Sequence, residues 1–133
     1  LEDINKLVQS EPALQKAVVL VGPVPHQAME DWYNSADFII SASHYEGSGV
    51  AVCEAMSCGC IPILSDIPSF RAMTGEGSCG FLYPPGNPEA LLALLLHTKT
   101  INREQEKEKT LRQFRKELSS GAIAAKIEAI IAE

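Results

Sequence analysis

The hydrophobic residues of this chain fall into short runs that polar turns separate, a pattern that predicts alternating strands and helices. Four apolar runs rich in strand-forming residues are predicted strands, the first of them buried: residues 18–21, 37–42, 60–64 and 81–83. Helical patterns surround them: residues 4–8, 26–35, 50–56, 69–73 (with Ser69 as the cap) and 88–97. Such alternation is typical of a parallel α/β sheet with helices on its faces.

The composition changes to charged residues after Thr100, where residues 102–109 predict a solvated helix face. An apolar stripe at Leu111, Phe114 and Leu118 continues the helix, and isoleucines follow a predicted break at Gly121. We expect these last helices to pack across the domain or onto another one. The predicted organisation is a single domain over residues 1–133, with an α/β core at 1–99 and C-terminal helices at 100–133.

Residues 43–59 predict a strand end, a glycine turn and a helix start, which together suit a phosphate group. Gly47 and Gly49 let the backbone approach a ligand, and the free amides of the helix start point at an anion. Glu46 is expected at the lip of this turn. Glu54 lies five residues beyond Gly49, about 7.5 Å along the helix axis, and its side chain leans back toward the turn, within reach of a ribose. Glycines that serve only the turn, and a glutamate stabilised by the helix dipole, are the alternative.

The spacing Glu46-x7-Glu54 resembles the signature of the retaining glycosyltransferases of the GT-B fold, the group 1 or family 4-like enzymes that include sucrose, starch and glycogen synthases. The flanking segments 18–43 and 80–91 are also similar to that family, so the resemblance covers most of residues 18–96. It implies a Rossmann-like parallel sheet flanked by helices, the latter part of a GT-B C-terminal domain. Ser48 and Ala42 stand where the family usually has an aromatic residue and a proline.

The resemblance also implies roles for individual residues. Glu46 would be the catalytic carboxylate beside the donor sugar, and Glu54 would bind the ribose hydroxyls of the nucleotide. The turn amides would hold the diphosphate or the sugar, and an earlier loop would lie against the nucleobase. His44 is a further candidate donor to a phosphate or sugar, set against a structural role at a strand end. The other implied donor-binding residues are Gly47, Ser48, Gly49 and Val50 in the turn, and Gly22 and Val24 in the loop.

The implied activity is transfer of a sugar, with retention, from a nucleoside-diphosphate sugar to a glycan, lipid or small acceptor, as in polysaccharide biosynthesis. The family typically needs no metal and no cofactor beyond the donor substrate. Its phosphate-binding arginine and lysine and its N-terminal acceptor domain would precede Leu1. We therefore expect this chain to be part of a longer enzyme and to be inactive alone.

Charge and cysteine content exclude several other classes. A net charge of -6 argues against nucleic acid as a partner. Because no apolar run approaches the ~20 residues of a membrane span, membrane contact would come only through absent segments. The four cysteines form no C-x-x-C pair, so we expect buried thiols, no zinc and a reducing compartment. The expected location is cytoplasmic, at most peripheral to the inner membrane face.

The same residues are compatible with two other functions. Gly47-x-Gly49 after a strand, with Asp66 near the end of the next strand, also fits an NAD-type dinucleotide-binding oxidoreductase, although Val52 replaces its third small residue. A non-catalytic domain that binds nucleotide sugars without turnover is the second rival. Outside the signature, Trp32 and Tyr33 are predicted to lie in the core rather than to form a stacking platform. His26, at a helix end or face, is predicted to have no functional role, and Arg71 is predicted to be a surface residue rather than a contact to the donor.

Overall fold

Three parallel strands form the centre of the fold, and they correspond to three of the four strands that the sequence predicts. The computed structural model describes residues 2–132, so Leu1 and Glu133 lie outside it. The strands β1 (Phe38–Ser41), β2 (Ile61–Ser65) and β3 (Phe81–Tyr83) pair in that order. Phe38 lies opposite Ile61, and Ile63 lies opposite Phe81. All residues of the central strand β2 are buried, because strands pair with both of its edges and helices pack against it.

Helices cover the sheet and extend beyond it. Their bounds are α1 (Glu2–Ser10), α2 (Pro12–Ala17), a 3₁₀ turn (His26–Ala28), α3 (Met29–Ser35), α4 (Val50–Ser57), α5 (Pro68–Thr74), α6 (Pro88–His97), α7 (Arg103–Gln113), a π-helical turn (Phe114–Leu118) and α8 (Ser120–Ile131). Two predicted details are wrong. The cap of α5 is Ile67 rather than Ser69, and the chain breaks at Ser119, whose hydroxyl accepts from the Ala122 amide, rather than at Gly121.

The main hydrophobic core lies between the sheet, α4 and α5. Phe70 and Met56 are fully buried there, beside Val52 and Leu64. The side-chain amide of Gln113 in α7 donates to the Met73 carbonyl at 3.2 Å, which fastens α7 to the end of α5. These contacts hold α4, the helix that carries the glutamate signature, against the centre of the sheet.

Residues 18–21 lie outside the sheet, so the predicted buried strand is wrong. Val18 has φ -116° and ψ 125°, which are strand-like values. Val19 is nevertheless 80% exposed, and the other three residues of the run are 37–45% exposed. An apolar run is buried only where a neighbouring strand and a covering layer meet it. Within residues 2–132 neither is brought against this run.

The cysteines are free thiols in two environments. Cys60 and Cys79 are buried, as predicted, whereas Cys53 and Cys58 are half-buried. Burial raises the pKa of Cys79 to about 11, so this thiol keeps its proton at neutral pH. Within residues 2–132, no helix combines the length and the apolar character needed to cross a membrane.

Candidate functional site

The turn between β1 and α4 requires glycine at one position. Gly49 is the residue before the first turn of α4 and is left-handed, with φ 57° and ψ 40°. A Cβ on Gly49 would lie 2.9 Å from Met73 Sδ and 3.2 Å from Phe70 Cε1. Gly47, two residues earlier, has open space around it. The core residues under the turn therefore determine the backbone path into α4.

The first turn of α4 presents amide donors to the surface. Among residues 2–132, no side chain caps this helix, and the amides from Gly47 through Val50 donate to no backbone acceptor. The first amide of the helix that is paired belongs to Cys53 and donates to the Gly49 carbonyl at 2.9 Å. Unpaired amides at the positive end of a helix dipole are suited to bind an anion.

Glu46 lies half-buried at the lip of this turn. The Ser43 hydroxyl donates to Glu46 Oε2 at 3.4 Å, and Ser65 at the end of β2 donates to the Ser43 carbonyl. The carboxylate is thereby linked to the carboxyl edge of the sheet. It faces a cleft of about 160 Å³ lined by Ile39, Ile40, Ser41, Glu46, Gly49, Val50, Ala51 and Val52. The structure thus brings Glu46 together with Gly49 and Val50.

His44 lies at the same edge of the sheet and is exposed. Its Cε1 atom lies 3.2 Å from the position of a Cβ on Gly86, so its ring packs against the loop after β3. His44 therefore bridges the loops that follow β1 and β3. The ring has a structural contact on one side and is accessible on the other.

Glu54 faces a second and larger cleft, of about 530 Å³, between α3 and α4. The Tyr33 hydroxyl donates to Glu54 Oε2 at 3.5 Å, and His26 Nε2 lies 3.9 Å from Oε1. The lining residues are His26, Gln27, Met29, Glu30, Tyr33, Asn34, Glu54, Ser57 and Cys58. Within the described chain this lining contains two carboxylates and no lysine or arginine. It favours a neutral, hydroxyl-bearing group over a phosphate.

Tyr33 and His26 contact Glu54 in this cleft, although the sequence predicts no binding role for either residue. The Tyr33 ring is 8% exposed and packs with Ala55 and Cys60, so its predicted core position is confirmed. Its hydroxyl, however, reaches Glu54, 21 positions away. The sequence holds no sign of this contact, because it depends on how α3 packs against α4.

The loop predicted to lie against a nucleobase leads into the 3₁₀ turn that carries His26. Gly22 is exposed with φ 74°, and Val24 is half-buried. Both lie outside the described lining of the Glu54 cleft, which begins at His26. The loop thus directly precedes the residues that line the cleft, and its two named residues are not among them.

Arg71, predicted to be a surface residue, forms a two-pronged ion pair with Asp66. Arg71 Nη2 donates to Asp66 Oδ2 at 2.7 Å, and Nε donates to Oδ1. The guanidinium holds the pKa of the Asp66 carboxyl below its usual range. Asp66 is the acid that a dinucleotide site would need for its ribose, and Val52, where that site needs a small residue, is 5% exposed in the core. Both observations weigh against the oxidoreductase reading.

Comparisons with known proteins identify the family and agree with the fold. The family model described as glycosyl transferases group 1 matches residues 5–117. A GDP-mannose:cellobiosyl-diphosphopolyprenol alpha-mannosyltransferase of Xanthomonas oryzae pv. oryzae is 36% identical over 99 residues, which are 71% of this chain and 26% of that protein. A sulfoquinovosyl transferase of Arabidopsis thaliana is 33% identical over 105 residues, 74% of this chain and 19% of that protein.

The same fold is present in a solved structure. Sucrose-phosphate synthase from Thermosynechococcus elongatus superposes with a TM-score of 0.80 and 23% sequence identity, over 98% of this chain and 33% of that one. The match identifies the fold as the Rossmann-like domain of the GT-B type. The chain spans 26% of the length of the Xanthomonas relative and 19% of the Arabidopsis one.

Proposed function

We propose that this chain, which belongs to the glycosyl transferases group 1 family, is the donor-binding part of a retaining glycosyltransferase. The complete protein would transfer a sugar from a nucleoside-diphosphate sugar to a glycan, lipid or small acceptor. One observation carries this proposal: Glu46 and Glu54 line two clefts that share α4, and the amides at the start of that helix are unpaired.

The amides of the turn would hold the diphosphate of the donor. The segment from Gly47 to Val50 combines unpaired backbone amides with the positive end of α4. When the bond between the sugar and the diphosphate breaks, negative charge builds on the leaving group. Preorganised amide donors at that position stabilise this charge, which lowers the barrier.

Glu46 would stabilise the opposite charge on the sugar. Glycosyl transfer passes through an oxocarbenium-like state, and a nearby carboxylate stabilises its positive charge. The Ser43 hydroxyl, which donates to Glu46 Oε2, keeps the carboxylate oriented at the lip of the turn. Glu46 is thus the residue that we assign to catalysis.

Glu54 would accept hydrogen bonds from the ribose hydroxyls. Its cleft is acidic and of a size that admits a nucleoside, whereas the diphosphate belongs at the amides of the helix start. The name of the Xanthomonas relative gives GDP-mannose as its donor and a diphosphopolyprenol-linked glycan as its acceptor. GDP-mannose is therefore the first donor to test, and a lipid-linked glycan the first acceptor.

The decisive experiment measures binding and turnover in the complete protein with UDP-, GDP- and ADP-sugars and with NAD. We expect one nucleoside-diphosphate sugar to bind selectively and Glu54→Gln to weaken that binding. Glu46→Gln should retain donor binding and lose turnover by two orders of magnitude or more, the scale on which single electrostatic groups act in catalysis.

Other results would redirect the assignment. Binding of NAD in preference to every sugar nucleotide would favour the oxidoreductase. Donor binding with no turnover in the unsubstituted protein, across a panel of glycan and lipid acceptors, would favour the non-catalytic scaffold.

A further inference from the structure

The two carboxylate oxygens of Glu54 have different neighbours. Oε2 accepts from the Tyr33 hydroxyl at 3.5 Å, and Oε1 lies 3.9 Å from His26 Nε2. The His26 side chain is 79% exposed, so water competes for its contact. The contact between the buried Tyr33 and Oε2 is therefore the more rigid of the two.

Tyr33 is anchored from three directions. Its ring packs with Ala55 in α4 and with Cys60 at the start of β2. The Cys60 thiol donates to the Tyr33 carbonyl at 3.1 Å, and the Ala36 amide donates to the same carbonyl at 3.2 Å. Because its backbone and ring are held by these contacts, its hydroxyl has little freedom to leave the cleft wall.

The Tyr33 hydroxyl is protonated at neutral pH and can therefore donate a hydrogen bond. Burial, and then the neighbouring Glu54 carboxylate, raise the pKa of Tyr33, so the hydroxyl keeps its proton through the neutral range. At 3.5 Å the contact is longer, and therefore weaker, than an ordinary hydrogen bond to a carboxylate. Such contacts often shorten when a ligand completes the site.

We propose that Tyr33 is a positioning residue for the donor, which occupies one oxygen of Glu54 and leaves the other directed at the ribose hydroxyls. This inference rests on the proposed function, since it takes Glu54 to be the ribose acceptor. It predicts that the Tyr33 hydroxyl acts only through Glu54 and only on ligands that carry those hydroxyls.

The test uses Tyr33→Phe in the complete protein, which removes the hydroxyl and keeps the ring. Binding of GDP, UDP and ADP, and of their 2′,3′-dideoxy analogues, is measured by titration calorimetry. For whichever ribonucleotide binds, we expect affinity to fall about two- to tenfold, the range for one lost hydrogen bond, with the dideoxy analogue unchanged. In the Glu54→Gln background the same substitution should have a much smaller effect.

Tyr83→Phe provides a matched control, because Tyr83 is also buried and its hydroxyl donates to the Ser41 carbonyl at 3.2 Å, outside the lining of the Glu54 cleft. It should leave the ratio of ribonucleotide to dideoxynucleotide affinity as in the unsubstituted protein. Equal losses for both nucleotides in Tyr33→Phe, or no loss at all while Glu54→Gln weakens binding, would overturn the positioning role. If Glu54→Gln leaves nucleotide binding intact, the ribose contact of the proposed function itself is wrong.

Discussion

Residues 18–21 and β2 are both short apolar runs rich in β-branched residues, and they have opposite environments. Ile63 in β2 is 0% exposed, whereas Val19 in the earlier run is 80% exposed. Val18, the first residue of the earlier run, has the extended backbone that β2 also has. β2 has a strand on each edge and helices packed against it, whereas residues 18–21 lie outside the sheet. Local composition thus predicts an extended backbone, and the neighbours determine whether that backbone is buried.

The two glutamates of the signature also differ in the hydrophobic residues that lie beneath them. The turn that follows Glu46 is built over Phe70 and Met73, which belong to the main core. The cleft of Glu54 is built over the small cluster of Tyr33, Ala55 and Cys60. Substitutions in the core and in exposed segments therefore measure how much each region contributes to the stability of the fold.

The largest effect is expected from Phe70→Ala. Phe70 is fully buried under the turn, so truncation should lower the free energy of unfolding by about 3–5 kcal/mol. Val19→Ala, in the exposed run, should change it by less than about 0.5 kcal/mol. Urea unfolding measures both. A cost for Val19→Ala close to that of Phe70→Ala would show that the run is covered in solution.

The next largest change in the free energy of unfolding is expected in the turn between β1 and α4. Gly49→Ala places a methyl group 2.9 Å from Met73 Sδ in a left-handed backbone conformation, and should cost about 2–4 kcal/mol. Gly47→Ala has open space and serves as the control, with an expected change below about 0.5 kcal/mol. Both are measured by urea unfolding. Equal costs would mean that the core does not determine the path of the turn.

A smaller effect is expected in α6, an apolar helix whose residues all keep partial or full exposure. Asn87 Oδ1 accepts from the Ala90 amide at 2.9 Å and caps the helix. Asn87→Ala should cost about 1 kcal/mol and speed amide hydrogen exchange in α6. Asn87→Asp keeps an acceptor and should preserve the exchange rates. Unchanged exchange in Asn87→Ala would show that packing, rather than the cap, holds this helix.

The smallest effect at neutral pH is expected from the ionisation of Cys79, which lowers the free energy of unfolding only in alkaline solution. Burial raises the pKa of Cys79 to about 11, above the ordinary value of 9.0 that the unfolded chain should show. The stabilisation from the buried neutral thiol is fully present below about pH 9 and is lost as pH rises through about 11.

Urea unfolding at several alkaline pH values measures this loss. We expect the free energy of unfolding to decline more steeply with pH in the unsubstituted protein than in Cys79→Ser. Cys58→Ser, at a half-buried thiol, is the control that should keep the steep decline. Parallel pH profiles for the unsubstituted protein and Cys79→Ser would contradict the assignment.

Much of the fold was predictable because it depends on local pattern. The predicted strand 81–83 and helix 88–97 match Phe81–Tyr83 and Pro88–His97, and the glycine turn precedes α4 as expected. Proline and asparagine at the start of α6 mark its boundary in the sequence itself. Gly49 was predictable as a turn residue for the same reason, although the atoms that exclude a Cβ there belong to α5.

The sequence by itself determined the alternation of strands and helices and the spacing of Glu46 and Glu54, because periodicity, turn residues and helix geometry act over a few positions. Only the tertiary structure decided which extended run is buried and that the Tyr33 hydroxyl meets Glu54. It also decided that Asp66 is engaged by Arg71. These outcomes depend on side chains brought together by packing, whose positions no local pattern records.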